Sequence, residues 1–255
     1  MTATLAFRNM TFRRVLNQNL VFQGFSTEFD RFPLAVLGPN GAGKSTLFGL
    51  ASGILKPGSG NVRVNGRSTR SLAGRQAARR LVGLVPQHGT GLAGLNVREA
   101  LAYTGWLKGM TKRDAWSRSL QLIDRLNLGD VARRGSTRLS GGQQRRLSIA
   151  QGLIADPALL LLDEATTGLD PLERQNLVGL VRELAAERPV IAATHEVDDL
   201  AEVFEYVCVL DGGEVHFMGT IDEFLGLSSL PRNAQVTPRQ RAEDAYAICL
   251  GLSRS

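Results

Sequence analysis

Cysteine, lysine and aromatic residues are scarce in this chain. Its 255 residues include two cysteines, two tryptophans and three tyrosines. Two cysteines, Cys208 in VCVL and Cys249 in AICLG, rule out a disulfide framework. Both are expected to be small buried hydrophobes in a reducing compartment. No apolar run approaches the ~18 residues that span a bilayer, and MTATLAFRNMTFRRVL has no signal-peptide core, so the chain is expected to stay in the cytoplasm unless a partner ties it to a membrane. Only Lys44, Lys56, Lys108 and Lys112 are lysines, so 26 of the 30 basic residues are arginine. The net charge of +6 raises nucleic acid as a partner. The arginines are spread along the chain without interleaved aromatics, so no direct nucleic-acid binding is expected. What remains is one α/β domain, large enough to bury a sizeable core, with an elaboration.

The most informative segment is GPNGAGKST, Gly38-Pro39-Asn40-Gly41-Ala42-Gly43-Lys44-Ser45-Thr46. It is a complete G-x-x-x-x-G-K-[ST] phosphate cradle. The apolar run Leu34–Leu37 before it predicts a buried strand, and the residues from Lys44 onward predict a helix. Backbone N–H groups and the positive helix end can then surround phosphates. Lys44 reaches the terminal phosphates and the Ser45 hydroxyl is suited to Mg²⁺.

Strands are predicted at residues 5–7, 20–22 and 61–64, forming an antiparallel flap, and at 81–85, ending at Pro86-Gln87. Residues 88–155 read as a helical insertion. Thr111 is its N-cap candidate, and Trp116, Leu120, Ile123 and Leu126 are expected to form its core-facing stripe. Strand–helix alternation resumes with a strand at 158–163, a helix at 171–187 and a strand at 189–194, and a hairpin follows around Asp211-Gly212-Gly213. Residues 230–240 are expected to be a linker, followed by a short amphipathic segment. The domain boundaries expected are 1–230 for the main domain and 231–255 for the linker and short helix.

Four further features carry chemistry. Asp163 and Glu164 close the buried run LLLLDE, where ligands of open α/β sheets gather. Asp163 suits a Mg²⁺ shell, and Glu164 could deprotonate a water attacking a γ-phosphate. LSGGQ places Ser140, Gly141, Gly142 and Gln143 at a second anion-binding helix end, this one without lysine. Gln87 and His195 each follow a strand.

Taken in order, GPNGAGKST, Gln87, LSGGQ, LLLLDE, the GLD ending at Asp170, and His195 resemble the ATPase subunit of ABC transporters. The resemblance covers about residues 5–224. It implies a P-loop NTPase (RecA-like) core with an antiparallel β flap and a helical subdomain. It also implies ATP and Mg²⁺ as cofactors, and a homodimer or heterodimer sandwiching two ATPs head to tail. The phosphate loop of one subunit would meet Ser140, Gly142 and Gln143 of the other. By the same resemblance Gln87 touches Mg²⁺ or the lytic water, His195 holds the γ-phosphate, and Asp170 acts across the dimer. A separate transmembrane permease is implied, placing the chain at the cytoplasmic face of the cell membrane. The loop HGTGLAGLN, with Leu92 and Leu95, is the expected hinge and docking segment. Phe12 is the only adenine-stacking candidate in the early flap. Asn96 to Leu101, Gly105 to Gly109 and the ending Ala242 to Tyr246 resemble the drug, antibiotic and lantibiotic exporter branch. An importer ATPase or an ATPase of iron–sulfur assembly is the alternative, while LSGGQ argues against a P-loop kinase or GTPase.

Overall fold

The computed structural model describes residues 4–14, 19–89, 91–194, 203–231 and 236–252. Two sheets organise it. The smaller is antiparallel, in the order β2-β1-β4-β5, from β1 (Leu5–Arg13), β2 (Leu20–Phe29), β4 (Ser59–Val64) and β5 (Arg67–Ser68). The larger has the order β10-β9-β3-β8-β7-β6, from β3 (Leu34–Leu37), β6 (Val82–Val85), β7 (Leu159–Asp163), β8 (Val190–Thr194), β9 (Tyr206–Asp211) and β10 (Glu214–Thr220). Its strands run parallel from β9 to β6, and β10 joins as an antiparallel edge. Strands β3, β7 and β8 are buried along their whole length, which is why they read as unbroken apolar runs.

Two cores cover the faces of the larger sheet. Helix α1 (Lys44–Ala51) lies between it and the flap, where Leu47, Phe48 and Leu50 join Phe7, Phe22 and Phe25. On the other face lie α5 (Gly141–Leu153), α6 (Pro171–Glu187) and the inserted helices α3 (Val97–Leu107) and α4 (Lys112–Arg125). The caps behave as the sequence chemistry dictates. Asn96 and Glu99 form a capping box on α3, and the Thr111 side chain accepts from the Asp114 N–H.

Four expectations need correction. The stripe on α4 is rotated: Ile123 and Leu126 are buried, but Trp116 and Leu120 are 44% and 43% exposed. Ala115, Ser119 and Leu122 point inward instead. The cause is a close helix crossing, where a Cβ on Gly105 would lie 3.1 Å from that of Ala115. The small residue must therefore face in, and Trp116 sits outside beneath the Arg98 guanidinium, 4.0 Å from its ring centroid. Second, Leu81 ends a helix, α2 (Leu72–Leu81), whose only buried residue is Ala78, too little for a periodic signal. Third, α8 (Pro238–Cys249) begins inside the expected linker, with Pro238 in its first turn and Thr237 as cap. Its Ala242 and Ala245 join the larger core, and the Asp244 carboxylate accepts from Ser228 Oγ at 2.9 Å and the Ser229 N–H at 2.8 Å. Helix α7 (Ile221–Gly226) packs beside it. Fourth, Cys208 is buried as expected, but Cys249 is only half-buried at the end of α8.

Candidate functional site

The site forms where the parallel strands end. From β3 the chain turns through residues 38–43 and enters α1 at Lys44. Gly43 has φ +106°, a left-handed conformation, and a Cβ there would come within 2.8 Å of the Phe22 ring. Glycine therefore lets the loop fold tightly beneath the flap. Asn40, Gly41 and Ser45 are exposed, while Gly38, Ala42, Gly43 and Thr46 are buried beneath them.

Lys44 is only 5% exposed. Its ammonium donates to the carbonyls of Gly38 at 2.7 Å and Pro39 at 3.1 Å, and lies 3.7 Å from Glu164 Oε1. Burial pushes its pKa below the ordinary lysine value, opposed by the charges of Glu164 and Asp163. The loop carbonyls thus hold the amine, curled over its own cradle.

Strand β7 delivers Asp163 and Glu164 together. Burial raises the Asp163 pKa, while a hydrogen bond with the Ser45 side chain works against that shift. Asp163 Oδ1 is buried and takes no hydrogen bond. A hydroxyl beside an unsatisfied buried carboxylate oxygen is a hard-oxygen donor set, and it fits Mg²⁺, which takes one or two protein ligands and completes its shell with phosphate and water. Glu164 has φ +47°, left-handed for a non-glycine residue, held by its N–H bond to the Ala193 carbonyl at 2.9 Å. Its Oε2 accepts from Gln87 Nε2 at 2.7 Å.

Gly38 to Thr46, Asp163, Glu164 and Gln87 are therefore brought to one place. Ser140 to Gln143 form a second place. Ser140 caps α5, accepting from the Gln143 N–H, while the Gln143 side chain bonds back to the Ser140 N–H. Gly142 lies against the Glu173 carboxylate, so close that a Cβ would fall 1.9 Å from it. Asp170 caps α6 by accepting from the Glu173 N–H at 2.9 Å. His195 lies outside the described residues. Phe12 is 7% exposed within the flap core, which removes it as an adenine platform.

Arg145 was not anticipated. It is buried in α5, and its guanidinium donates to the carbonyls of Pro86 at 2.9 Å and Gln87 at 2.8 Å. Sequence offered only a hint: charged residues are seldom buried without a specific partner, and this one follows LSGGQ by two positions.

Residues 30–167 match the ABC transporter family. The methionine import ATP-binding protein MetN of Caulobacter vibrioides is 38% identical over 192 residues, 74% of this chain and 58% of that protein. The uncharacterized ABC transporter ATP-binding protein YxlF of Bacillus subtilis is 32% identical over 190 residues, 74% of this chain and 62% of that protein. Among solved structures, cbiO1 from Clostridium perfringens, part of the ABC transporter complex cbiONQ, superposes with a TM-score of 0.73 at 27% identity. That match covers 87% of this chain and 90% of that one. The fold is that of an ATP-binding cassette, and the chain belongs to the ABC transporter family. It spans about six-tenths of the length of the curated relatives it matches.

Proposed function

We propose that this chain is the ATP-hydrolysing subunit of an ABC transporter, pairing head to tail with a second subunit around two ATPs to drive a separate permease. The observation that carries this reading is the presence of two glycine-rich helix starts in one chain, at Lys44 and at Gly141. One is built with Lys44, Asp163 and Glu164, and the other from the capped start of α5 at Ser140, with the Glu173 carboxylate against Gly142. A helix end without its own lysine suits a nucleotide held by another chain.

In this reading the N–H groups of the phosphate loop and Lys44 bind the β- and γ-phosphates. Asp163 and Ser45 would hold Mg²⁺, with Gln87 touching the ion or the lytic water, and the ion would neutralise charge on the phosphates. Glu164 orients a water and takes its proton as the water oxygen bonds to the γ-phosphorus and the bond to the β–γ bridging oxygen breaks, leaving ADP and phosphate. His195 would contact the γ-phosphate, and Asp170, at the start of α6, would meet the partner subunit. No helix among the described residues is long and apolar enough to cross a membrane. Pairing with a permease would place the chain at the cytoplasmic face of the cell membrane.

A mixing experiment tests this. Lys44→Ala should weaken ATP binding by the monomer, whereas Ser140→Arg should leave it intact and block closure. Mixed together, the two variants can restore one composite site, and at most half of wild-type hydrolysis. An equal loss of monomer affinity in both single variants would contradict the sandwich.

The motifs at residues 96–109 and 242–246 support export of a drug, antibiotic or peptide. Import is the second reading, favoured by methionine import relatives at 34–38% identity. Cargo accumulation against efflux in cells lacking the chain separates the two.

A further inference from the structure

Arg145 sits in the second turn of α5 and is 7% exposed. A buried guanidinium is costly unless its donors meet acceptors. Here Nη1 donates to the Pro86 carbonyl at 2.9 Å and Nη2 to that of Gln87 at 2.8 Å, with the Glu164 carbonyl at 3.5 Å from Nη2. The rigid fork therefore ties α5 to the chain where it leaves β6, and reaches the end of β7 as well. Those are the two strand ends whose side chains, Gln87 and Glu164, bond one another at 2.7 Å. A shift of α5 by an ångström would pull on the backbone that aims both groups.

We propose that Arg145 is a positioning residue that carries the state of the signature helix end, Ser140 to Gln143, to Gln87 and Glu164 of the same chain. The inference rests on the functional reading above. In that reading the start of α5 grips the nucleotide held by the partner subunit, while Glu164 serves the nucleotide held by its own phosphate loop. Arg145 then joins two different nucleotides through one chain. Occupancy of one composite site sets the geometry of the base in the other, so the two hydrolysis events are coupled. Lysine replaces this only in part, because it brings one nitrogen to the strand ends where the guanidinium places two in a planar fork.

The test is steady-state ATP hydrolysis over a range of ATP concentrations for the wild type, Arg145→Gln and Arg145→Lys. Binding of a fluorescent ATP analogue to the monomer and thermal unfolding are followed in parallel. The wild type should hydrolyse ATP with a Hill coefficient above one. Arg145→Gln should keep monomer affinity, lose about tenfold or more in kcat, and show a Hill coefficient close to one. Arg145→Lys should keep the fold and recover only part of the rate, still without cooperativity. A merely structural anchor would instead lower the unfolding temperature and leave the Hill coefficient unchanged, and that result would overturn the proposal. Wild-type rate and cooperativity in Arg145→Gln would do the same. If the glutamine variant does not fold, full cooperativity in the lysine variant decides against it. A wild type that binds ATP without hydrolysing it, or hydrolyses it with a coefficient of one, also defeats the proposal. Only failure to hydrolyse touches the functional reading.

Discussion

Gln87 Nε2 donates to one oxygen of Glu164 at 2.7 Å, and Lys44 Nζ stands 3.7 Å from the other. Both oxygens of the proposed base thus have a partner. Bound phosphates would draw Lys44 away and leave one oxygen for water. Glu164→Gln keeps the size of the side chain but cannot accept the proton. It should bind ATP normally and lose roughly 10²–10⁴-fold in turnover. The variant should then collect as an ATP-bound dimer on size-exclusion chromatography. Near-normal hydrolysis would remove Glu164 from the base role.

Asp163 gives a prediction about stability and pH. Its pKa is raised in the folded protein, mainly by burial. The native state therefore holds its proton to higher pH than the unfolded chain, whose aspartates titrate near about 3.9. The favourable contribution is present in full below that value and is lost as pH rises through the folded pKa. At neutral pH the raised pKa therefore counts against the fold. Asp163→Asn should raise the unfolding temperature of the nucleotide-free protein at pH 7 and abolish Mg²⁺-dependent hydrolysis. The gain in temperature should shrink on acidification. A loss of stability at pH 7 would mean that the charge is compensated in the fold.

The two cysteines should separate chemically. Burial pushes the Cys208 thiol up to about 12, on a strand covered on both sides. Cys249 is half-buried at the last position of α8, its thiol also raised but less enclosed. Iodoacetamide at pH 8 should label Cys249 alone, and both only after denaturation. Labelling of Cys208 in the native protein would show that β9 opens locally.

Much of this site is legible in the sequence because its parts are local. The phosphate loop, the Asp163–Glu164 pair and the Ser140 cap each lie within a few consecutive residues at the end of one strand or the start of one helix. Long-range contacts are not legible in that way. Nothing near Gln87 announces its bond to Glu164, 77 residues away, and the Arg145 fork depends on the packing of α5 against β6. The α4 stripe was misassigned because apolar periodicity cannot register that Gly105 and Ala115 form a close crossing. Phe12 failed as an adenine platform for a similar reason. On β1 it lies opposite Phe22 of β2, and that pairing turns its ring into the flap core.

The loop after Gln87, read from its glycines as a hinge, is tied down at its far end. The Leu92 N–H donates to Ser136 Oγ at 2.9 Å, and that hydroxyl donates to the Leu92 carbonyl at 2.8 Å. The Ser136 N–H adds a bond to the Leu95 carbonyl at 2.9 Å. Ser136 is fully buried and lies four residues before Ser140, so the loop is fastened to the segment leading into α5. Any hinge motion must either carry this segment along or break these bonds. Ser136→Ala removes the two side-chain bonds and leaves the Leu92 N–H without its partner, while the Leu92 carbonyl keeps the Leu95 N–H at 3.2 Å. The expected cost is about 1–3 kcal/mol of stability. Amide hydrogen exchange should quicken at Leu92 while remaining slow in β7. If exchange at Leu92 is the same in the variant, the serine is not what holds the loop. The contacts of Gly91 with Ser136 and Thr137 would then be the restraint to test.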